Sequence, residues 1–461
     1  MPQSAVVVLD IGKTNAKLVA IGEGRVLMEL ETPNRSFEGP PYLHFDVDGL
    51  WNWVRGGLRE IAPRFVVEAI VPCTHGSGIA VTDDRTLVLP VMDYTAEPPA
   101  EIRAAYLQIA PSFAECGCST GPVSVTSAVQ LFWQSRAFPK LFGKATRIMT
   151  LAQYWAWRLS GVAASEITQL GAQTHLWNPV AQRFSSLAEA QGWARLFPPL
   201  RHSWERLGPI ELDLARSCGL PTDCPVLCGI HDSSASYLAY LRGGLERDAV
   251  VSTGTWIIGF NPLQPIDRLA PDRDTVSNST VFGKPLASSR YMGGEEYARL
   301  AGKPAATATV EAAAAVIAAG TLALPSFVNW GGPYIGCRGR LEGPPPSGDN
   351  ARAALAAIYT ALVTNTCLDL LESREGIVLE GHFAGNEVYR RVLAALRPDQ
   401  ALRVATSPAG SALGASLLHR WEDAKPSIAL APVLAAEIPE LASYALRWRQ
   451  LAEQEFATRK L

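Results

Sequence analysis

An apolar strand that runs directly into a polar glycine turn is the feature that most restricts the fold of this chain. It occupies residues 6–17, Val-Val-Val-Leu-Asp-Ile-Gly-Lys-Thr-Asn-Ala-Lys. Backbone N–H groups at such a turn can point at phosphate oxygens, while hydroxyl, amide and ammonium groups add donors and charge. The candidate phosphate-binding residues are Gly12, Lys13, Thr14, Asn15 and Lys17. Asp10 suits Mg²⁺ or its water shell, and the spacing matches neither the Walker loop nor the Rossmann triple glycine.

The same pattern returns more than two hundred residues downstream. Val250 and Val251 lead into Ser-Thr-Gly254-Thr255-Trp256, a second glycine turn flanked by hydroxyl groups. Between the two turns lies Asp232, which follows a short apolar segment at the predicted start of a helix. An acid at that place can simply cap the helix. Two phosphate-type turns on either side of one acid instead favour a two-lobed phosphotransfer protein.

These segments resemble the FGGY carbohydrate kinases, of the rhamnulokinase, fuculokinase and xylulokinase kinds, over nearly the whole length. Residues 10–17 resemble the family's first phosphate motif, with Lys13 in place of the usual small residue, and 252–256 resemble the second. Gly229, Asp232 and Ala235 match a Gly-x-x-Asp-x-x-Ala pattern that carries the catalytic base. The resemblance implies an α/β, two-lobed, duplicated actin-like fold (sugar kinase/heat-shock ATPase, ribonuclease H-like) with the nucleotide in the interlobe cleft.

The resemblance extends to the nucleotide and implies ATP and Mg²⁺ as cofactors. The segment 381–386 is similar to the adenosine loop, and 409–414 to the helix-opening segment after it. The resemblance also places the turn at Gly294 near the nucleotide phosphates, and Mg²⁺ at Asp10 and Asp232. The implied adenosine-loop residues are Gly381, Ala384, Gly385 and Asn386.

A sugar site is implied in the first lobe. The resemblance places His75 and Gly76 against the substrate, and His75 follows a predicted strand, 66–71. Asp93 and Tyr94 are expected to hydrogen-bond hydroxyls and stack on the apolar face of a sugar. The His-Gly pair is similar to xylulose and fuculose kinases and the Gly-Thr-Trp turn to rhamnulose kinases, so the sugar stays open. Asp232 is expected to accept the proton of the attacked hydroxyl of a ketose or polyol.

The composition and net charge of the chain argue against several classes of function. The chain has 461 residues, 48% of them hydrophobic, and a net charge of −3, so no basic excess predicts binding to nucleic acid or to an anionic membrane. The N-terminus lacks the pattern of a signal peptide, which predicts a cytoplasmic protein. A homodimer is compatible with the sequence. The eight cysteines lack the spacing of a zinc site and are expected to be reduced, mostly buried thiols.

We expect the lobes to span 1–243 and 244–461, the first binding sugar and carrying the base, the second binding nucleotide. Helices are predicted from Asp48 and over 351–373, the latter with one apolar side. Two other classes stay open: an actin-like or chaperone-type ATPase, and a catalytically inert sugar-binding sensor. ATP hydrolysis stimulated by a ketose or polyol separates the kinase from both.

Overall fold

The computed structural model describes residues 2–120, 124–302, 306–329, 331–406, 410–422, 426 and 428–459. The chain divides into two compact units. The first comprises Met1–Gly244, Ser277–Pro285 and Ala409–Ser427, and the second comprises Leu245–Val276, Leu286–Pro408 and Ile428–Leu461.

The first unit is built around a mixed sheet. Its strands are β1 (Gln3–Ile11), β2 (Asn15–Gly22), β3 (Arg25–Pro33), β4 (Ser36–Phe37), β5 (His44–Phe45), β6 (Phe65–Thr74), β7 (Ile79–Thr82), β8 (Arg147–Thr150), β9 (Trp177–Asn178), β10 (Arg183–Phe184), β11 (Arg206–Pro209), β12 (Pro225–Leu227) and β13 (Ile230–His231). The main sheet has the order β11-β12-β6-β1-β2-β3, and β13 also pairs with β6. The helices are α1 (Val47–Ile61), α2 (Ala100–Leu107), α3 (Phe113–Cys116), α4 (Ser127–Ala137), α5 (Pro139–Phe142), α6 (Leu151–Ser160), α7 (Ile167–Leu170), α8 (Ser186–Ala190), α9 (Leu212–Cys218) and α10 (Asp232–Arg242), with a 3₁₀ turn at Ala194–Leu196.

The apolar run in β1 is explained by packing on both of its faces. Val7 and Leu9 belong to a cluster that includes residues of α1 and α6. Val6 and Val8 alternate with them and belong to a second cluster that includes residues of α10. A strand buried on both sides reads as continuously hydrophobic, because neither set of alternating side chains meets water.

A hairpin follows the first glycine turn, and the predicted first helix is present. The strands β2 and β3 are joined through Glu23 and Gly24, both at positive φ. The helix α1 starts at Val47, one residue before the predicted start, because Asp46 caps it by accepting a hydrogen bond from the Gly49 N–H at 2.8 Å.

The second unit holds another mixed sheet. The strands from residue 245 onward are β14 (Ala249–Thr253), β15 (Ile257–Asn261), β16 (Thr275–Ser279), β17 (Pro285–Tyr291), β18 (Leu322–Leu324), β19 (Arg340–Glu342), β20 (Ile377–Gly381), β21 (Leu402–Ala405) and β22 (Leu430–Pro432). The sheet order is β16-β17-β15-β14-β20-β21-β22, and the last three residues of β16 and the first of β17 fall in the segment assigned to the first unit. The remaining helices are α11 (Gly293–Ala301), α12 (Val310–Ala318), α13 (Asp349–Leu370), α14 (Glu387–Leu396), α15 (Ser411–Ser416, within the first unit) and α16 (Leu441–Thr458), and 3₁₀ turns occur at Ile266–Arg268, Pro271–Arg273, His382–Gly385 and Leu417–Arg420.

The helix α13 is the core of the second unit. The sequence predicted a helix with one apolar side, whereas residues 353–368 are buried all round. Among the described residues it is the one helix with the length and apolar composition to cross a membrane, and 89% of its most apolar window is buried inside the protein. A helix surrounded by its own unit needs apolar residues on every face, so its composition is that of a core helix.

Candidate active site

Two aspartates lie at one edge of the sheet in the first unit. The strands β1 and β13 both run parallel to β6, and Asp10 and Ile230 both register against Cys73. Asp232 follows β13 directly and is the first residue of α10. Neighbouring strands lie about 4.8 Å apart, and the carboxyl ends of parallel strands in open α/β sheets are where ligands bind. The strand order therefore brings Asp10 and Asp232 to the same edge, on either side of β6.

Asp10 is half-buried and has an unusual pKa. Burial raises its pKa to about 6, and the charge of Asp232 adds to this effect. A hydrogen bond from Ser411 Oγ to Asp10 Oδ2, at 2.5 Å, acts in the opposite direction, as does the charge of Lys17. A carboxylate that is costly to ionise in the free protein is one that a bound cation would stabilise.

Asp232 does not cap its helix. The N-cap position belongs to His231, and Asp232 Oδ1 accepts hydrogen bonds from the N–H of Ser233 at 2.5 Å and its hydroxyl at 3.2 Å. His231 Nε2 lies 3.2 Å from the same oxygen. The Asp232 side chain is 28% exposed, at a helix N-terminus, where a negative charge is favoured. These contacts fix one carboxylate oxygen and leave the side chain accessible.

Two buried histidines accompany the aspartates. Burial lowers the pKa of both His75 and His231, so both rings are neutral near pH 7. His75 Nδ1 lies 2.5 Å from the Gly76 carbonyl oxygen, which can only accept, so Nδ1 carries the proton and Nε2 is an acceptor. That Nε2 is buried and has no hydrogen-bond partner among the described residues. A Cβ on Gly76 would lie 2.9 Å from His231 Nε2, so a larger residue at this position would have to displace the His231 ring.

The carboxylate of Asp93 is saturated. Its Oδ2 accepts from the Lys13 ammonium and from Ser36 Oγ, the latter at 2.6 Å. Its Oδ1 accepts from the N–H and the hydroxyl of Thr95 at 2.9 and 2.8 Å. Burial alone would raise the pKa of Asp93, but these hydrogen bonds hold it below its usual range. Asp93 is thus ionised, and its carboxylate holds the Lys13 ammonium by an ion pair.

The first glycine turn is fixed by backbone bonds. The Gly12 N–H donates to the Asn15 carbonyl at 2.9 Å, and Asn34 donates to the carbonyls of Gly12 and Thr14. Thr14 and Asn15 are exposed at the tip of the turn. Lys17 lies on β2, where its ammonium pairs with Glu29 at 2.9 Å; this hydrogen bond raises the pKa of Lys17.

The second glycine turn connects β14 and β15 in the second unit. The Gly254 N–H donates to the Trp256 carbonyl at 2.9 Å, and both Gly254 and Thr255 are exposed. The Gly294 N–H donates to the Thr255 carbonyl at 3.2 Å, and a Cβ at Gly294 would lie 2.4 Å from the Gly254 carbonyl oxygen. The start of α11 can therefore pack on the turn only because residue 294 is glycine.

The predicted adenosine loop adjoins that turn within the same unit. Gly381 ends β20 at φ 85° and is in register with Thr253 of β14. Thr253 Oγ1 donates to the Glu380 carbonyl and accepts from the Ala384 N–H at 3.0 Å. Asn386 caps α14 through a bond from the Tyr389 N–H at 3.0 Å. The structure thus brings Gly254, Thr255, Gly294 and the 381–386 loop to one region of the second unit.

Sequence reasoning missed two residues that support the aspartates. Ser411 belongs to the segment predicted to open a helix after the adenosine loop, of which Ala409 lies outside the described residues, but its bond to Asp10 was not predicted. Glu166, fully buried, accepts from the N–H and hydroxyl of Thr168, and Thr168 Oγ1 accepts from the His231 N–H at 3.0 Å. The Glu-Ile-Thr segment at residues 166–168 was the available signal for this support.

The described residues contain no group of three or more His, Cys, Asp or Glu side chains that could hold a metal ion. The cysteines are free thiols, all buried except the half-buried Cys337. Asp10 and Asp232 offer hard carboxylate oxygens, and Mg²⁺ commonly takes one or two carboxylates and completes its shell with water and phosphate oxygens. The donor set fits that ion.

Two family models together match most of the chain. Residues 5–239 match the model of the FGGY family of carbohydrate kinases, N-terminal domain, and 246–427 match carbohydrate kinase FGGY, C-terminal domain. An L-fuculokinase of Salmonella typhi is 26% identical over 270 residues, and one of Escherichia coli (strain K12) is 25% identical over 270 residues. Each match covers 56% of this chain and 56% of the relative, so the chain aligns with about half the length of these curated relatives.

Solved structures match over almost the whole chain. A carbohydrate kinase from Novosphingobium aromaticivorans is 33% identical with a TM-score of 0.90, covering 98% of this chain and 99% of that one. A xylulose kinase from Rhodospirillum rubrum is 19% identical with a TM-score of 0.82, covering 98% of both chains. At this identity the match supports a shared fold only. The predicted two-lobed α/β sugar kinase fold is confirmed by these matches.

Proposed function

The chain belongs to the FGGY family of carbohydrate kinases, and we propose that it transfers the γ-phosphoryl group of ATP to a hydroxyl group of a ketose or polyol. The observation that carries the proposal is the pair of aspartates at one sheet edge, of which Asp232 is accessible and Asp10 is costly to ionise. A kinase needs a base for the accepting hydroxyl and a cation for the phosphates.

Asp232 acts as the general base. Since Oδ1 is engaged by Ser233 and His231, we assign Oδ2 as the oxygen that accepts the hydroxyl proton. As that proton leaves, the sugar oxygen forms a bond to the γ-phosphorus, and the bond between the γ-phosphorus and the ADP oxygen breaks. Serine and histidine contacts on Oδ1 hold the carboxylate in one rotamer, which supports in-line positioning of the hydroxyl.

His75 positions the sugar. Its Nε2 is an unpartnered acceptor among the described residues, so a sugar hydroxyl can donate to it. The ring of Tyr94 lies edge-on to His75 with centroids 5.4 Å apart and offers an aromatic surface for a sugar face. Gly76 leaves the space that the His231 ring occupies.

The nucleotide is held by donors on each unit. In the first unit, Gly12, Thr14, Asn15 and Lys17 contact phosphate oxygens. In the second unit, the nucleotide contacts are Gly254, Thr255, Gly294, Gly381, Ala384, Gly385 and Asn386. Exposure of Thr14, Asn15, Gly254 and Thr255 supports these roles, since each can reach a ligand without unfolding the turn. Asp10 and Asp232 would hold Mg²⁺, which would neutralise phosphate charge.

The test is acceptor-dependent release of ADP. Purified protein is incubated with ATP and Mg²⁺ and a panel of ketoses, deoxyketoses, tetritols and pentitols. We expect one class of acceptor to stimulate ADP release and to yield a phosphorylated sugar. Asp232→Asn, which is nearly isosteric, is expected to reduce turnover by about 10²- to 10⁴-fold with unchanged thermal unfolding.

Three outcomes would contradict the proposal. ATP hydrolysis that no acceptor stimulates would indicate an actin-like or chaperone-type ATPase. Sugar binding without ADP release would indicate an inert sensor. Near-normal turnover of Asp232→Asn would show that Asp232 is not the general base, although the protein would still be a kinase.

A further inference from the structure

The Lys13 ammonium lies in an aromatic environment rather than at the tip of the glycine turn. It is ion-paired with Asp93 and lies 5.0 Å from the centroid of the Phe45 ring and 5.7 Å from that of Tyr94. The same two rings contact His75, each with a centroid separation of 5.4 Å. Lys13 and His75 therefore share one aromatic surface.

The partners of Asp93 decide which of the two charged groups can reach a ligand. An ionised carboxylate has about four acceptor sites, and Asp93 uses them on Lys13, Ser36 and the two donors of Thr95. Its side chain is 1% exposed, whereas that of Lys13 is 31% exposed. Asp93 has no capacity left for a sugar hydroxyl.

Lys13 does have that capacity. An ammonium group has three N–H donors, and one hydrogen bond, to Asp93, accounts for one of them. The ring faces of Phe45 and Tyr94 favour the cation where it lies. Asp93 sets the position of the ammonium and neutralises its charge, and the remaining N–H groups are available to a ligand.

We propose that Lys13 is a specificity-determining residue for the acceptor sugar, donating hydrogen bonds to hydroxyl oxygens of an uncharged ketose or polyol rather than to nucleotide phosphates. The inference rests on the proposed function. An anionic sugar is disfavoured because Asp93 neutralises the ammonium and Asp232, which acts electrostatically on the same His75, repels a second negative charge.

The test measures sugar and nucleotide affinity separately. Lys13→Met keeps the length of the side chain and removes its donors, and Lys144→Met, at an exposed position of the same unit, is the matched control. Binding of L-fuculose, xylulose, xylitol and gluconate is measured by calorimetry without ATP, and ATP binding by calorimetry without sugar. We expect Lys13→Met to weaken binding of the preferred neutral sugar by about 10- to 100-fold, the loss of a charged hydrogen bond. ATP affinity should change by less than about threefold on this reasoning, and Lys144→Met should change neither.

Several results would overturn the inference. Weakened ATP binding with unchanged sugar binding would show that Lys13 binds the nucleotide phosphates instead. No change in either affinity would show that Lys13 contacts neither ligand and has only a structural role. Tighter binding of gluconate than of any neutral sugar would contradict the substrate class. Lys13→Arg, which keeps the charge, should retain most of the sugar affinity and guards against misfolding of Lys13→Met. A wild-type protein that binds a sugar but releases no ADP would refute the proposed function without affecting this test.

Discussion

The hydroxyl of Ser411 donates a 2.5 Å hydrogen bond to Asp10 Oδ2 across 401 positions of sequence. Asp10 is the penultimate residue of β1, and Ser411 is the first residue of the short helix α15. On the same helix, a Cβ at Gly414 would lie 1.8 Å from the carbonyl oxygen of Ala235, in the first turn of α10. One helix therefore contacts both Asp10 and the helix that begins at Asp232.

Removing the Ser411 hydroxyl should change the pH dependence of turnover. The hydrogen bond lowers the pKa of Asp10, which burial has raised to about 6. A hydrogen bond contributes about 1 kcal/mol, or about 0.7 pKa unit. If turnover requires ionised Asp10, Ser411→Ala should move the acid limb of the kcat/KM profile to higher pH by about 0.5 to 1 unit and have little effect at pH 8.

The control is Ser416→Ala on the same helix. Ser416 Oγ donates to the Leu413 carbonyl at 2.7 Å rather than to a carboxylate, so its profile should keep the wild-type pH dependence. A loss in Ser411→Ala that is equal at every pH would show that the hydroxyl acts on something other than the protonation of Asp10.

Asp10 should make the ligand-free protein less stable at neutral pH. Its folded pKa of about 6 exceeds the usual value of 3.8, so between those values the folded state binds more protons than the unfolded state. The free energy of unfolding then falls as pH rises through this window. Because Asp10 is only partly shielded from water, we expect Asp10→Asn to gain about 1 to 3 kcal/mol at pH 7.5 and almost nothing at pH 4.

Thermal unfolding at both pH values measures this effect, with activity assayed in parallel. Asp84→Asn, at a side chain that is 71% exposed, is the control and should show no comparable gain. An Asp10→Asn protein that is less stable than wild type at pH 7.5 would mean that ionised Asp10 stabilises the empty site.

Glu166 should matter for both stability and turnover. This buried carboxylate accepts from Thr168, Gln169 and Ser203, at 2.5 to 3.1 Å. In Glu166→Gln, an amide NH₂ group would replace one of the two acceptor oxygens. At least one of these donors would then lack an acceptor, which should lower the free energy of unfolding by about 1 to 3 kcal/mol. Since Thr168 also holds the His231 N–H, kcat should fall several-fold while the KM for ATP stays unchanged.

Glu115→Gln is the matched control for Glu166→Gln. Glu115 accepts from the N–H and hydroxyl of Ser186 at 2.6 and 2.8 Å at a partly exposed position, where water can replace a lost bond. Its effect on unfolding should be below about 1 kcal/mol. Equal destabilisation by the two substitutions would contradict the argument from burial.

Local sequence patterns predicted the strands and turns of the candidate site but not its long-range partners. The run into Gly12 predicts a strand and turn because both are determined within a dozen residues. The register of the β2–β3 hairpin places Lys17 opposite Glu31, and its ammonium pairs with Glu29; both partners lie within 14 positions of Lys17, so local strand pairing accounts for them. The partners of Asp10 and Lys13 could not be predicted locally, because Ser411 and Asp93 lie 401 and 80 positions away and only the folded chain brings them together.

Gly294 should be required for the second glycine turn. An added Cβ would lie 2.4 Å from the Gly254 carbonyl oxygen and 3.1 Å from the Thr255 Cα. Both are backbone atoms, so the turn itself would have to move. Gly294→Ala should cost about 1 to 3 kcal/mol through overpacking and should raise the KM for ATP more than the KM for sugar.

Gly56→Ala is the control for Gly294→Ala, because a Cβ at Gly56 in α1 meets nothing within 4 Å. Alanine is favoured over glycine inside a helix by about 0.5 to 1 kcal/mol, so this control should unfold at a slightly higher temperature with unchanged kinetics. If Gly294→Ala instead raised the KM for sugar and left that for ATP unchanged, the Gly254–Thr255 turn would not be a nucleotide-binding element.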